Sequence, residues 1–249
     1  MRLLLVNPNM TVAMTERMTG LATDLADGRA QIVPLTAPRG FPYIASRAEA
    51  QIAGALALEM IAEHSAGADG AIIAAFGDPG LVAARELFDF PVVGMSEAAM
   101  MTAALLGDRF SVITFSPEMT RWYEDSIATS GLQSRSCGVR AAQLSSGNVA
   151  TAREETRAQL IALARASCEE DGADVIILGG APLAGLAAEI AAEVPALVVD
   201  PISAATAQVM ALATLKSGLN YTERRNRPCA KPSVGLSAPL RAIIAQGAI

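Results

Sequence analysis

The stretch Gly67-Ala-Asp69-Gly-Ala-Ile-Ile-Ala-Ala75 comes back later in the chain as Gly172-Ala-Asp174-Val-Ile-Ile-Leu-Gly-Gly180, a shift of 105 residues. At the same shift Gly80-Leu81 falls on Gly185-Leu186, and Ala83 falls on Ala188. A second echo lies nearer the start, where Asn7-Pro8-Asn9-Met10-Thr11 aligns with Ser116-Pro117-Glu118-Met119-Thr120. In each copy of the long stretch a polar turn leads into an unbroken apolar run. That is the pattern of a strand buried on both faces, as in a parallel sheet. Three matches in one order predict two homologous lobes, over residues 1–97 and 98–215, with a different segment at 216–249.

Working outward, short apolar runs alternate with segments of helical spacing. Strands are predicted at Arg2–Val6, Ala30–Leu35, Ala71–Ala75, Pro91–Gly94, Phe110–Thr114, Ser136–Ala141, Val175–Leu178 and Ala196–Val199. Helices are predicted at Thr11–Leu25, Arg47–His64, Ala150–Glu169, Pro182–Ala192 and Ser203–Lys216. Strand-then-helix alternation implies an α/β fold of parallel sheets covered on both faces. Ligands in such sheets collect beyond the carboxyl ends of the strands, so two facing lobes place a site in the cleft between them. The last segment is polar around Tyr221-Thr-Glu-Arg-Arg-Asn-Arg-Pro, with a short helix possible at Ala238–Gln246. It reads as a tail packed on the surface or as a subunit contact.

Composition narrows the function. The 249 residues are 52% apolar and 18% charged, which excludes a disordered chain. The net charge of −6, with no basic block, argues against nucleic acid or an anionic membrane surface as partner. No apolar run is long enough for a transmembrane helix, and the apolar start is too short for a signal peptide. Three scattered cysteines (Cys137, Cys168 and Cys229) read as free thiols of a reducing cytoplasm. With His64 the single histidine, near the end of a long helix, no metal site is expected.

Four turns that follow strands carry the candidate chemistry. Asn7 in Asn7-Pro8-Asn9 can bind a carbonyl or carboxylate oxygen, helped by the N–H groups of a helix start. In Phe76-Gly77-Asp78-Pro79 the glycine permits tight backbone geometry, and Asp78 suits a helix cap or a ligand contact. Thr114 and Ser116 in Thr114-Phe115-Ser116-Pro117 are expected to turn two hydroxyls toward the same cleft. Gly180 and Ala181 in Gly179-Gly180-Ala181-Pro182 offer backbone N–H groups.

Together, RLLLVNPNMT (2–11), FGDPGLVAARE (76–86), PVVGMSEAA (91–99) and LGGAPLAG (178–185) resemble the hydantoin racemase branch of the aspartate/glutamate racemase superfamily. The resemblance runs in order over about residues 1–215, and FGDPGL is its most specific part. It implies two flavodoxin-like lobes related by a pseudo-twofold axis, a cofactor-free active site between them, and a homo-oligomer. It also implies two cysteines on opposite sides of a small substrate, exchanging a proton at the carbon next to a carbonyl. The residues at those two places here are Ala75 and Gly180, which are equivalent under the 105-residue shift and carry no proton-transferring group.

Without the thiols, rate acceleration must come from oxyanion-type donors near Phe76–Gly77 and Gly180–Ala181, plus a polar side chain. Glu97, at the start of the helix after PVVGMS, is a candidate base, and its alternative role is to favour the helix dipole. Tyr43, in GFPYIAS, lies on a stretch that resembles the family's substrate-covering segment. With Thr114 and Ser116 these complete the candidate catalytic set. The expected activity is isomerase chemistry on a small ureide, imide or carboxylate, without metal or organic cofactor. A cysteine-independent lyase, decarboxylase or hydrolase and a non-catalytic small-molecule binder are the alternatives.

Overall fold

A computed structural model gives the fold and describes residues 1–144, 148–215, 221 and 228–246. The first sheet holds β1 (Arg2–Asn7), β2 (Gln31–Thr36), β3 (Gly70–Ile73) and β4 (Val92–Gly94) in the order β2-β1-β3-β4. The second holds β5 (Phe110–Thr114), β6 (Ser136–Ala141), β7 (Val175–Gly179) and β8 (Leu197–Val199) in the order β6-β5-β7-β8. All pairings are parallel, and the second order repeats the first with four added to each strand number. Central strands β1, β3, β5 and β7 are buried along nearly their whole length, as their unbroken apolar runs require. Edge strand β2 is only half-buried and tolerates Pro34, because an edge position leaves one side free of ladder bonds.

The internal repeat extends to hydrogen bonds. Asp69, just before β3, accepts the N–H of Arg2 at the start of β1 through Oδ2 (2.9 Å). Its equivalent Asp174, before β7, accepts the N–H groups of Asp108 and Arg109 ahead of β5 (both 3.0 Å). Gly80 and Gly185 share the left-handed conformation, at φ +82° and +84°, each opening a short helix. Those helices are α3 (Leu81–Leu87) and α7 (Leu186–Ile190). The single helix expected over Pro182–Ala192 is therefore three pieces. A 3-10 turn at Ala181–Leu183 precedes α7, and another follows at Ala191–Glu193, because Gly185 breaks the helical backbone.

The other helices are α1 (Val12–Ala26), α2 (Arg47–His64), α4 (Met95–Leu106), α5 (Thr120–Ser130), α6 (Ala152–Asp171), α8 (Pro201–Leu215) and α9 (Ala238–Ala245). Two of them cross over. Helix α4 follows the first sheet in sequence but also packs on β5, β7 and β8, while α8 packs on β3, β4 and α1. The two helices lie against each other, and Gln208 Nε2 donates to Ala98 O (2.8 Å) and Thr102 Oγ1 (2.9 Å). One apolar cluster accordingly runs through both halves, from Leu3 and Ile72 to Ile176 and Val209. Helix α9 lays Leu240 into a second cluster beside α2, on the surface of its own chain. Among the described residues no helix is long and apolar enough to cross a membrane.

Candidate active site

Loops from the carboxyl ends of β1, β3, β5 and β7 converge on one cavity, lined on one side by Asn9, Tyr43, Ala75 and Phe76. On the other side stand Phe115, Trp122, Tyr123 and the Gly180–Pro182 turn. Five of the chain's ten aromatic residues thus meet in one place. Their rings pack obliquely, with centroids 4.6 Å apart for Phe76–Tyr123, 5.7 Å for Trp122–Tyr123 and 6.2 Å for Tyr43–Phe115. The space left is about 20 Å³, room for roughly one water.

Ala75 and Gly180 both line this cavity. Gly180 has φ +132°, a conformation that L side chains rarely adopt, and an added Cβ would stand 2.7 Å from the Phe115 ring. At Gly77 the indole of Trp122 lies where a Cβ would be, at 2.3 Å, so glycine is required for this close approach. Asn9 is held by a compact network. Its Oδ1 accepts from Asn7 Nδ2 (3.1 Å) and Thr11 N (2.9 Å), leaving Nδ2 only a weak contact to Met14 Sδ at 3.8 Å. Tyr43 is carried by the loop before α2. That loop is fastened where Ser46 Oγ accepts Glu49 N (3.2 Å) and Glu49 Oε2 accepts Ala45 N (2.7 Å).

Tyr43 and Tyr123 are the ionisable groups among the described residues lining the cavity. Burial, with the carboxylates of Glu118 and Glu49 nearby, pushes the Tyr43 phenol up to about 12. Burial also raises Tyr123, against a hydrogen bond from Thr114 that favours the ionised form. Both phenols are therefore protonated donors at neutral pH.

The remaining candidates lie around this cavity. Asn7 is fully buried, and its Nδ2 donates to Asn9 and to Thr15 Oγ1 (3.0 Å), so it supports Asn9 from behind. The hydroxyls of Thr114 and Ser116 do not face one cleft. Thr114 is fully buried and engaged with Tyr123 and Met119, whereas Ser116 borders a separate hollow that shares Tyr43. The reason is the 3-10 turn at Pro117–Met119, which turns the chain away directly after β5. Gly77, Asp78 and Glu97 line an adjoining chamber of about 150 Å³, with Trp122 as the wall shared with the first cavity. Glu97 pairs with Arg85 through both carboxylate oxygens, so it stands outside the space beside Ala75 and Gly180.

Asn9, Phe115, Trp122 and Tyr123 border the cavity although the sequence did not single them out. Asn9 has a signal, as the second amide of the Asn-Pro-Asn turn; nothing in the residues around Phe115, Trp122 and Tyr123 marks them as cavity walls. Among the described residues no group of three or more His, Cys, Asp or Glu side chains is arranged to hold a metal ion.

The two repeated α/β halves, with their loops meeting at Ala75 and Gly180, define a racemase-superfamily architecture. The family model described as Asp/Glu/Hydantoin racemase matches residues 3–209, and the chain belongs to this family. It is 30% identical over 236 residues to a hydantoin racemase of Paenarthrobacter aurescens, covering 93% of this chain and 99% of that one. A hydantoin racemase of Pseudomonas sp. (strain NS671) is 33% identical over 205 residues, covering 82% of each. Among solved structures, an allantoin racemase from Pseudomonas fluorescens matches with a TM-score of 0.86 at 32% identity, covering 94% of this chain and 100% of that one.

Proposed function

We propose that this chain catalyses isomerase-type proton exchange at the carbon next to a carbonyl of a small ureide, imide or carboxylate, without a cysteine pair and without a cofactor. What carries the reading is the meeting of Ala75 and Gly180 in one aromatic cavity, within a chain that belongs to the racemase family. The hydantoin and allantoin racemases it resembles support a cyclic ureide as substrate. A flat ring suits the aromatic walls, and Asn9 Nδ2 is placed to donate to a carbonyl oxygen as enolate charge develops. The Tyr43 phenol, protonated at neutral pH, is the second donor, and the proton leaving the carbon is lost to a solvent water and regained from solvent on either face while both donors hold the enolate oxygen. Tyr43 thus stays in the catalytic set, with Phe76, Gly180 and Ala181 as binding residues. Asn7, Gly77, Asp78, Glu97, Thr114 and Ser116 act by holding these in place. A cavity of about 20 Å³ cannot contain a ureide ring, so binding requires Tyr43 or Trp122 to move. A cytoplasmic homo-oligomer is the expected setting.

A second reading, a non-catalytic binder, draws on one observation: no carboxylate, thiol or imidazole stands among the described residues lining the cavity. Deuterium exchange at C5 of an enantiopure hydantoin in heavy water, followed by NMR and polarimetry, separates the two. Exchange with loss of optical rotation, abolished in Tyr43→Phe, is expected. Saturable binding with no exchange above the buffer rate establishes the binder instead, and release of CO₂ or ammonia marks a lyase or hydrolase.

A further inference from the structure

Asp78 is partly buried and carries more than a helix cap requires. Its backbone is left-handed, at φ +50°, and among the described residues only one other non-glycine residue has positive φ. Its carboxylate accepts Ser96 N (2.8 Å), Ser96 Oγ (2.6 Å) and Glu97 N (2.8 Å), and so ties the turn after β3 to the start of α4. Gly94 has no room for a Cβ, because the Asp78 carboxyl carbon would lie 2.3 Å away. The residue immediately before Asp78 is Gly77, against which the Trp122 indole rests. In the second half the same span is bridged in reverse, since Asp200, after β8, accepts Gly185 N (2.7 Å) and Ser203 N (2.9 Å). The bridge belongs to the repeat, but only the first half makes it from within the turn that borders the cavity.

Burial pushes the Asp78 carboxyl up to about 6, and the three hydrogen bonds, which favour the ionised form, do not offset it. The negative charge of Glu97 adds to the rise. A raised carboxyl contributes stability that is fully present below its ordinary value of 3.8 and is lost as pH rises through about 6. The ionised, clamped form at neutral pH is thus held at a cost to stability. Strain and burial kept at such a cost mark a residue with a role beyond folding.

We propose that Asp78 is a positioning residue: its carboxylate holds the Phe76–Gly77 edge against α4 and so sets the seat of Trp122 between the cavity and the chamber behind it. That this edge bounds the reacting space rests on the function proposed above; the seating of Trp122 does not. The other charged or titratable groups around the chamber and its shared wall are Glu97 with Arg85, Asp125 with Arg47, and the Tyr123 and Tyr43 phenols.

Trp122 is the chain's only tryptophan, so its fluorescence reports this seat with no substrate present. Between pH 4.5 and 8 the intact protein is expected to show one emission change with a midpoint near 6, at constant far-ultraviolet dichroism. Asp78→Asn removes the transition. Ser96→Ala, which deletes one donor to the ionised form, moves the midpoint up by about half a unit to one unit. A flat wild-type profile overturns the inference, and so does a transition that survives in Asp78→Asn. If Asp78→Asn fails to fold, the Ser96→Ala midpoint decides: an unmoved value overturns the inference. Exchange on hydantoin is scored separately, so its absence counts against the proposed function and leaves the fluorescence result intact. Where exchange occurs, Asp78→Asn raises KM about tenfold or more with a smaller change in kcat, and an unchanged KM overturns the positioning role.

Discussion

Ala75 and Gly180 occupy equivalent places in the repeat, yet their surroundings differ at the scale of single atoms. Ala75 already carries a Cβ beside the cavity, so Ala75→Cys adds one sulfur next to free space and should cost less than about 1.5 kcal/mol. Gly180→Cys must force a side chain into φ +132° and push the Phe115 ring aside. Strained backbone and overpacking together cost about 2–4 kcal/mol. Chemical denaturation of the two variants checks this, and equal losses would show that the Gly180 turn relaxes freely. Introducing thiols at the two positions is therefore not a symmetrical exercise. This chain has built its second wall from a backbone conformation that only glycine adopts comfortably.

At the scale of elements, the loop carrying Tyr43 is governed by the start of α2. Ser46 is an extended N-cap whose hydroxyl oxygen takes Glu49 N, and Glu49 reaches back to Ala45 N. Loss of the cap in Ser46→Ala costs about 1 kcal/mol. It should also speed amide exchange over residues 40–46, which mass spectrometry resolves, while leaving α1 and the sheets unchanged. Faster exchange spread evenly over the chain would mean that the cap stabilises the fold without steering the loop. The limits of α2 and β5 are legible in the sequence, because a cap and a largely apolar run are local signals. The break inside Pro182–Ala192 is not legible, since a single glycine in a helical run does not announce the positive φ that Gly185 adopts.

At the scale of the molecule, the exchange of α4 and α8 ties the halves together. Each helix packs against the other and against the sheet of the opposite half, so neither sheet can lose its cover without exposing the other. Calorimetry should therefore record one unfolding transition, with calorimetric and van't Hoff enthalpies in agreement. Two resolved transitions would show that the lobes fold independently. The charged contacts between the halves are peripheral by comparison. The Arg47–Asp125 pair is half-exposed, so solvent screens it and it contributes little.

What the sequence by itself determined follows from short-range patterning. The two parallel four-stranded halves, their 105-residue repeat, and the Ala75 and Gly180 that end its two copies could all be read from residue order. Strand burial and turn chemistry are written in neighbouring residues, and a repeat is visible wherever its copies keep their spacing. The partners of each side chain were decided only by the tertiary structure. Glu97 turned to Arg85, Thr114 to Tyr123, and Asp78 to the start of α4, while Trp122 came to rest on Gly77. Those contacts join residues far apart in the chain, and their geometry depends on how two lobes pack, which no local signal encodes.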